Sequence, residues 1–203
     1  MIGFIYSKLL FFLMRIISQN ITNYGIKVPE DAIFRINLAW CNSINELKKI
    51  LEKHETEEIF LDLPTKRIKP PNNKYEITDL APIIESHPQI KYFAVSNVES
   101  GKDLKMYVDT FPNSILFVPK IESPLAIENI TEIISSIPSK KKIIMLDHDD
   151  LFSKLVKNNE PLDNFQAYIQ KLIKYCDKNK IILLRTIGVI FSDEEKKISG
   201  YVR

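Results

Sequence analysis

Glycine is scarce, with 5 residues in 203. No Gly-rich phosphate cradle is present: the chain has no Walker loop and no GxGxxG, and also lacks HExxH and GxSxG. Cysteine is scarcer. Cys41 and Cys176 stand far apart without metal-ligand spacing, which argues against a zinc site and against a disulfide. The two read as thiols of a reducing compartment, and the expected location is cytoplasmic. No charge of one sign dominates. A net charge of +2, with 28 basic and 26 acidic residues interspersed, gives no case for nucleic-acid binding.

Long hydrophobic runs are missing too. The opening "MIGFIYSKLLFFLMRIISQN" is apolar but is interrupted by Lys8 and Arg15, too short and too broken for a membrane span. It lacks the positive start and small-residue cleavage site of a signal peptide. Residues 1–30 are expected to form an apolar helix closing one end of the domain, with an interfacial anchor or weak signal as the alternative. Residues 31–203 are expected to form one well-cored domain.

From Ile33 onward short apolar runs alternate with helical patterns. Strands are expected at Ile33–Ala39, Ile59–Leu63, Ile90–Val98, Ile115–Ile121, Lys142–Leu146 and Ile181–Val189. In "SINELKKILEKH", Ile44, Leu47, Ile50 and Leu51 share one face, Ser43 fits an N-cap and Glu46 completes a capping box. "SGKDLKMYVDTF", "SPLAIENITEIISSI" and "LDNFQAYIQKLIKYCDKNK" repeat the helical theme. Continuous strands separated by helices predict a parallel sheet covered on both faces. Polar residues gather where each apolar run stops: Arg35 and Asn37, Asp62, Ser96 and Asn97, Lys120 and Glu122, Asp147 to Asp150, Arg185 and Thr186. An open sheet concentrates its site at one switch point, whereas a barrel recruits many strand ends. The expected fold is therefore α/β, a compact (β/α) TIM-type barrel, either complete or short of its end strands, with an N-terminal helix. "PTKRIKPPNNKYEITD" reads as a lid or a surface loop.

Lys120 and Glu122 are two apart on a strand and so point the same way. They make either an exposed ion pair of little worth or a site in which Glu122 serves a hard divalent cation and Lys120 neutralises an enolate, carboxylate or phosphoryl oxygen. In "IIMLDHDDLFSKL" three acids and a histidine follow directly on a strand. The acids repel one another unless a cation joins them; the alternative is a solvated loop in which Asp150 caps the next helix. Glu122 and Asp150 are the expected metal ligands, for Mg²⁺ or Mn²⁺. Arg35 interrupts an apolar strand, so it either pairs with Asp62 or faces a site as a bidentate anion binder.

The stretches "FRINLAW", "FLDLPTKRIK", "YFAVSNVES", "FVPKIESPLAIENITEII", "IIMLDHDDL" and "KNKIILLRTIGV" resemble, in order and spacing, strands of the pyruvate kinase catalytic barrel over about residues 32–190. "DHDDLFSKL" also resembles the metal loop of hydroxy-acid aldolases and citrate lyase β subunits. The resemblance implies catalytic roles for Lys120, Arg35 and Thr186, divalent-metal ligands in Glu122 and Asp150, and a K⁺ site at Asn37 and Asp62. Ser96 and Asn97, at the end of their strand, are expected to line the substrate site. The expected ligand is phosphoenolpyruvate or a small oxoacid. Only the Pro/Asn-rich loop stands where that family inserts its lid domain, so a nucleotide clamp has no counterpart. Three functions follow as expectations: a Mg²⁺-dependent, pyruvate kinase-like phosphoryl transferase working through an enolate, a carbon–carbon lyase, or a binding domain without turnover. Open barrel edges call for cover by the N-terminal segment or a second subunit, a homo-oligomer.

Overall fold

The computed structural model describes residues 14–20, 28–30, 32–66, 70–71 and 73–185. Seven strands make one parallel sheet in chain order: β1 Arg15–Ser18, β2 Ala32–Asn37, β3 Ile59–Leu63, β4 Ile90–Val95, β5 Leu116–Ile121, β6 Ile143–Leu146 and β7 Ile182–Arg185. Helices α1 Ile44–Lys53, α2 Ile77–Ser86, α3 Lys102–Thr110, α4 Pro124–Glu128, α5 Ile130–Ser136, α6 His148–Lys157 and α7 Asn164–Asn179 fill the crossovers from β2 onward. Since each strand pairs with the next in sequence, the sheet curls into a half-barrel. Among the described residues β1 and β7 are its two edges. The chain is thus α/β as expected, while the complete TIM-type barrel is not what the described residues form.

Of the six expected strands, Ile59–Leu63 coincides with β3 and the others lie within three residues of their expected ends, with the expected residues 186–189 of the last one outside the described residues. The N-terminal expectation needs correction. Its described part carries strand β1, with Ile16 paired to Ile33 and Ile17 to Phe34, where a helix was expected. Two adjacent β-branched residues lose rotamer freedom in a helix and fit a pleated edge. Residues 1–13 lie outside the described residues.

Local signals explain the helices. The Ser43 side chain accepts from Glu46 N at 3.1 Å and caps α1. Glu46 reaches back one residue further than a capping box requires, to Asn42 N at 2.9 Å. Ser123 caps α4 in the same way, with Pro124 at the first helical position. The segment "SPLAIENITEIISSI" breaks at Asn129 into α4 and α5. Gly101 precedes α3 where a Cβ would come within 3.0 Å of Ser136 Cβ, so only glycine lets α3 and α5 close up without a shift.

The two faces of the sheet differ. Phe34, Ile36, Leu61, Phe93, Phe117 and Ile144 point to the helices and form the main core. The opposite parity carries a second buried cluster of Ile33, Phe60, Tyr92, Ala94, Val118, Ile143 and Met145. Two residues further along these same strands come Arg35, Asp62, Ser96, Lys120 and Asp147. The period-2 alternation of a strand therefore sets a charged layer directly above an apolar one. Pro119 fits inside β5 because it ends the pairing with β4, and pairing with β6 begins at Lys120.

Candidate functional site

The charged layer sits at the C-terminal ends of β2 to β6. Lys120, 6 % exposed, is its centre. Its Nζ lies 2.9 Å from Glu122 Oε1, 3.6 Å from Asp147 Oδ2 and 3.9 Å from Asp62 Oδ2, and it donates to Ser96 Oγ at 3.1 Å. Burial alone would lower the lysine pKa; the carboxylates of Asp62, Glu122 and Asp147 outweigh it and raise it. Lys120 is therefore a fixed ammonium. The exposed surface pair that spacing alone allowed is not what forms, because both partners are buried.

Glu122 is 1 % exposed. Its Oε2 accepts from the backbone N–H of Asn97 at 2.8 Å. Asn97 presents that N–H from a left-handed backbone, φ 53°, a conformation asparagine tolerates, and its own Nδ2 donates to Thr65 O at 2.9 Å. Oε1 is ion-paired with the Lys120 ammonium at 2.9 Å. Burial raises the Glu122 pKa, with Asp147 adding to it, and Lys120 and the Asn97 N–H do not fully offset this.

Arg35 and Asp62 form the other half. Arg35 Nε donates to Asp62 Oδ2 at 3.0 Å, and the guanidinium's terminal nitrogen reaches the same oxygen. Asp62 is 1 % exposed and its Oδ1 has no hydrogen-bond partner. The salt bridge that composition allowed is the arrangement found. Asn37 and Asp62 are register neighbours, but the Asn37 side chain caps the 3-10 turn Leu38–Trp40 through Ala39 N at 3.0 Å. Asn37 Oδ1 thus already serves Ala39 and Asp62 Oδ2 serves Arg35, while Asp62 Oδ1 stays without a hydrogen-bond partner. Thr186 lies outside the described residues.

Asp147 caps α6. Its own N–H is fixed to Ile121 O at 3.2 Å, and its Oδ1 accepts from Asp150 N at 3.3 Å. Asp150 therefore sits in the first turn and is not itself the cap. One carboxylate oxygen each from Glu122, Asp147 and Asp150 lies within 4.8 Å of the others. Ligands across a hard divalent ion stand about 4.2 Å apart for Mg²⁺ and up to about 5 Å for Ca²⁺, so three all-oxygen donors at this spread fit such an ion. Asp147 is the residue that sequence reasoning did not single out; its signal was its place immediately after the apolar run "IIML". Its neighbour His148 accepts from Arg185 Nε at 3.4 Å on Nε2, and burial and that guanidinium lower its pKa.

Among the described residues, the ion pairs of this layer join the carboxyls of Asp62, Glu122 and Asp147 to Arg35 and Lys120, and Asp150 adjoins them. Access runs through the side where Arg35 and Asp147 keep 23 % and 24 % of their side chains exposed.

No family model matches the chain, and no curated protein matches it. Among solved structures it is similar in fold to RipC from Yersinia pestis, with TM-score 0.60 and 13 % identity over 94 % of this chain and 86 % of that one. At that identity the similarity concerns the fold. The resemblance to the pyruvate kinase catalytic barrel is overturned. The similarity found is to RipC, and the described strands form an open half-barrel, not a complete barrel. Short apolar runs ending in charged residues fit any parallel sheet with a polar mouth, which is why those segments misled. Among the described residues no helix is long and apolar enough to cross a membrane.

Proposed function

We propose that this chain is a cytoplasmic, divalent-cation-dependent enzyme that stabilises the enolate of a small oxoacid, in the manner of a carbon–carbon lyase. The observation that carries the reading is the buried Lys120 set among Asp62, Glu122 and Asp147 at the strand ends, with one oxygen each of Glu122, Asp147 and Asp150 within 4.8 Å of the others. Glu122 and Asp150 would hold Mg²⁺ or Mn²⁺, which when bound supplies Lewis-acid polarisation of a substrate carbonyl. Lys120, held by three carboxylates and Ser96, offers a preorganised positive charge to an oxygen on which charge develops. Arg35, partly exposed and already oriented by Asp62, is placed for a substrate carboxylate. Such chemistry needs no nucleotide. Completion of the curled sheet as a (β/α) barrel belongs to the same proposal.

The test is thermal stabilisation by oxalate, a planar mimic of an enolate. Wild type should gain a shift that requires Mg²⁺, and Glu122→Gln should lose it. No metal-dependent shift in wild type, or an equal shift in the variant, removes the basis of the reading. Metal-dependent deuterium exchange at the pyruvate methyl group, insensitive to ADP, would then establish enolate formation.

A second reading, a binding domain without turnover, is favoured by one observation: Arg35 and Lys120 are already paired within the layer. Oxalate binding without methyl exchange would select it.

A further inference from the structure

On the helix side of the sheet, at its β1 edge, lies a cleft of about 410 Å³ lined by the two residues after β1, by Phe34 of β2, by Trp40 and by one flank of α1. Among the described residues no helix joins β1 to β2, and that flank of α1 is left open. We propose that the cleft binds a small planar aromatic anion, whose ring lies against Trp40 and whose carboxylate or phosphate meets Lys49 and Lys53. The site is independent of the strand-end layer: Phe34 faces the helices, while its neighbour Arg35 faces that layer.

The volume suits a small ligand, since such pockets run from about 300 to 1,000 Å³ and combine an apolar lining with a few placed polar groups. The floor is set in advance. His54 is 6 % exposed and stacks on Phe34 with ring centroids 4.0 Å apart and an interplanar angle of 20°, and its Nδ1 stands 3.4 Å from Glu57 Oε1. Gln19 Oε1 accepts from Asn37 N at 2.7 Å, which holds the opposite wall. Above this floor Trp40 is 53 % exposed. The 3-10 turn sends Leu38 and Ala39 into the core and leaves the third residue outside, so a large flat ring stands at the cleft with one face free for stacking. Lys49 and Lys53 are both exposed, one turn apart on α1, a spacing at which like charges oppose the helix. Among the described residues neither has an ion-pair partner. Glu46 lines the same cleft, but its Oε2 is turned to Asn42, accepting from N at 2.9 Å and Nδ2 at 3.0 Å. The negative end of the helix dipole accounts for Lys53 in the last turn and fades before Lys49. An anion between the two ammoniums answers for both.

The experiment uses the full chain without added metal. Trp40 is the one tryptophan of the chain, so tryptophan emission reports on this cleft alone. AMP and benzoate are the probes; adenosine lacks the charge of the first and acetate the ring of the second. At least one probe should bind with a Kd below about 1 mM and quench Trp40 saturably, and its control should bind at least about fivefold more weakly. Tighter AMP assigns the site to a phosphoryl ligand, tighter benzoate to a carboxylate. Lys49→Gln and Lys53→Gln should each weaken binding about three- to fivefold. Trp40→Ala, read by calorimetry, should weaken it at least about fivefold. The three side chains are exposed and unburdened by the core, so all three variants should melt as wild type does. Failure of wild type to bind either probe overturns the inference. So does binding that all three variants keep within about twofold, because the probe then sits elsewhere. Neither result touches the cation site, whose oxalate test stands apart.

Discussion

Two layers of the concave face sit two residues apart on the same strands. The lower one, Ile33, Phe60, Ala94, Val118 and Met145, is apolar and buried. The upper one, Arg35, Asp62, Ser96, Lys120 and Asp147, is charged and, at Asp62 and Lys120, just as buried. Both are equally close to the backbone ladder, so the sheet does not dictate the difference. Burying apolar area stabilises at about 25 cal/mol per Å². Burying ions costs several kcal/mol each, recovered only through good pairing. The lower layer accounts for the curl holding together. The upper one is a local liability that makes sense as a site.

The largest expected effect lies in the lower layer. Phe60 is fully buried and stacks 6.0 Å from Tyr92. Phe60→Ala should lose about 3–5 kcal/mol in urea unfolding, through lost transfer energy and the cavity left behind. A loss under about 1 kcal/mol would mean that this layer is loosely packed and the contrast false. Asp62→Ala comes next, at about 3 kcal/mol, because it leaves the half-buried Arg35 without its carboxylate, while Lys120 keeps Glu122 and Asp147. Lys120→Met should act in the opposite sense on cation dependence. With the ammonium gone the carboxylates repel, so the variant should be less stable than wild type without metal and gain a larger melting shift from Mn²⁺. An unchanged shift would show that the acids are neutralised by some other means.

What could be read in advance follows the same division. Runs such as Ile59–Leu63 announced their strands because both faces of the sheet are covered, so apolar residues follow one another without alternation and only Asp62, near the end, breaks the run. Strand β1 was hidden. Its four residues, "RIIS", sit in a longer apolar stretch whose spacing also suits a helix, and only pairing to β2 decides between them. In the site, the period of two was enough to put Lys120 and Glu122 together. It could not tell a buried pair from an exposed one, since burial depends on elements far away in sequence. The acidic run after β6 was recognised as a cluster, but the alternative reading of it as a helix cap put Asp150, not Asp147, in that role. The turn is fixed by Asp147 N reaching Ile121 O across to β5, a contact no local pattern encodes. The family resemblance failed for a related reason: charged residues at strand ends are a property of layered parallel sheets before they are a property of any one family.

Helix caps at the rim give a smaller scale for comparison. Ser43→Ala should cost about 1 kcal/mol, with no change in Mn²⁺ binding.

The smallest effect tests whether exposure, and not charge as such, makes the upper layer costly. Asp103, at the start of α3, is charged and well satisfied. It accepts from Glu99 N and Ser100 N at 2.9 Å each and pairs with Lys66 at 3.2 Å. Burial works against its charged form, but the two backbone N–H groups and Lys66 outweigh it and hold its pKa below the ordinary aspartate value. A carboxyl whose pKa is lower in the folded chain adds stability above its unfolded value, near 3.9, and loses it as pH falls through the lower folded value. Lys66 is 60 % exposed, so water screens the ion pair. The whole contribution should stay under about 1 kcal/mol. Asp103→Asn should therefore be slightly less stable than wild type at pH 7, and the difference should shrink as pH falls from the ordinary aspartate value through the lower folded one. If the variant instead loses as much as Asp62→Ala, depth in the sheet is not what separates the charged layer from the rim, and the reading of that layer as a costly, purposeful site loses its footing.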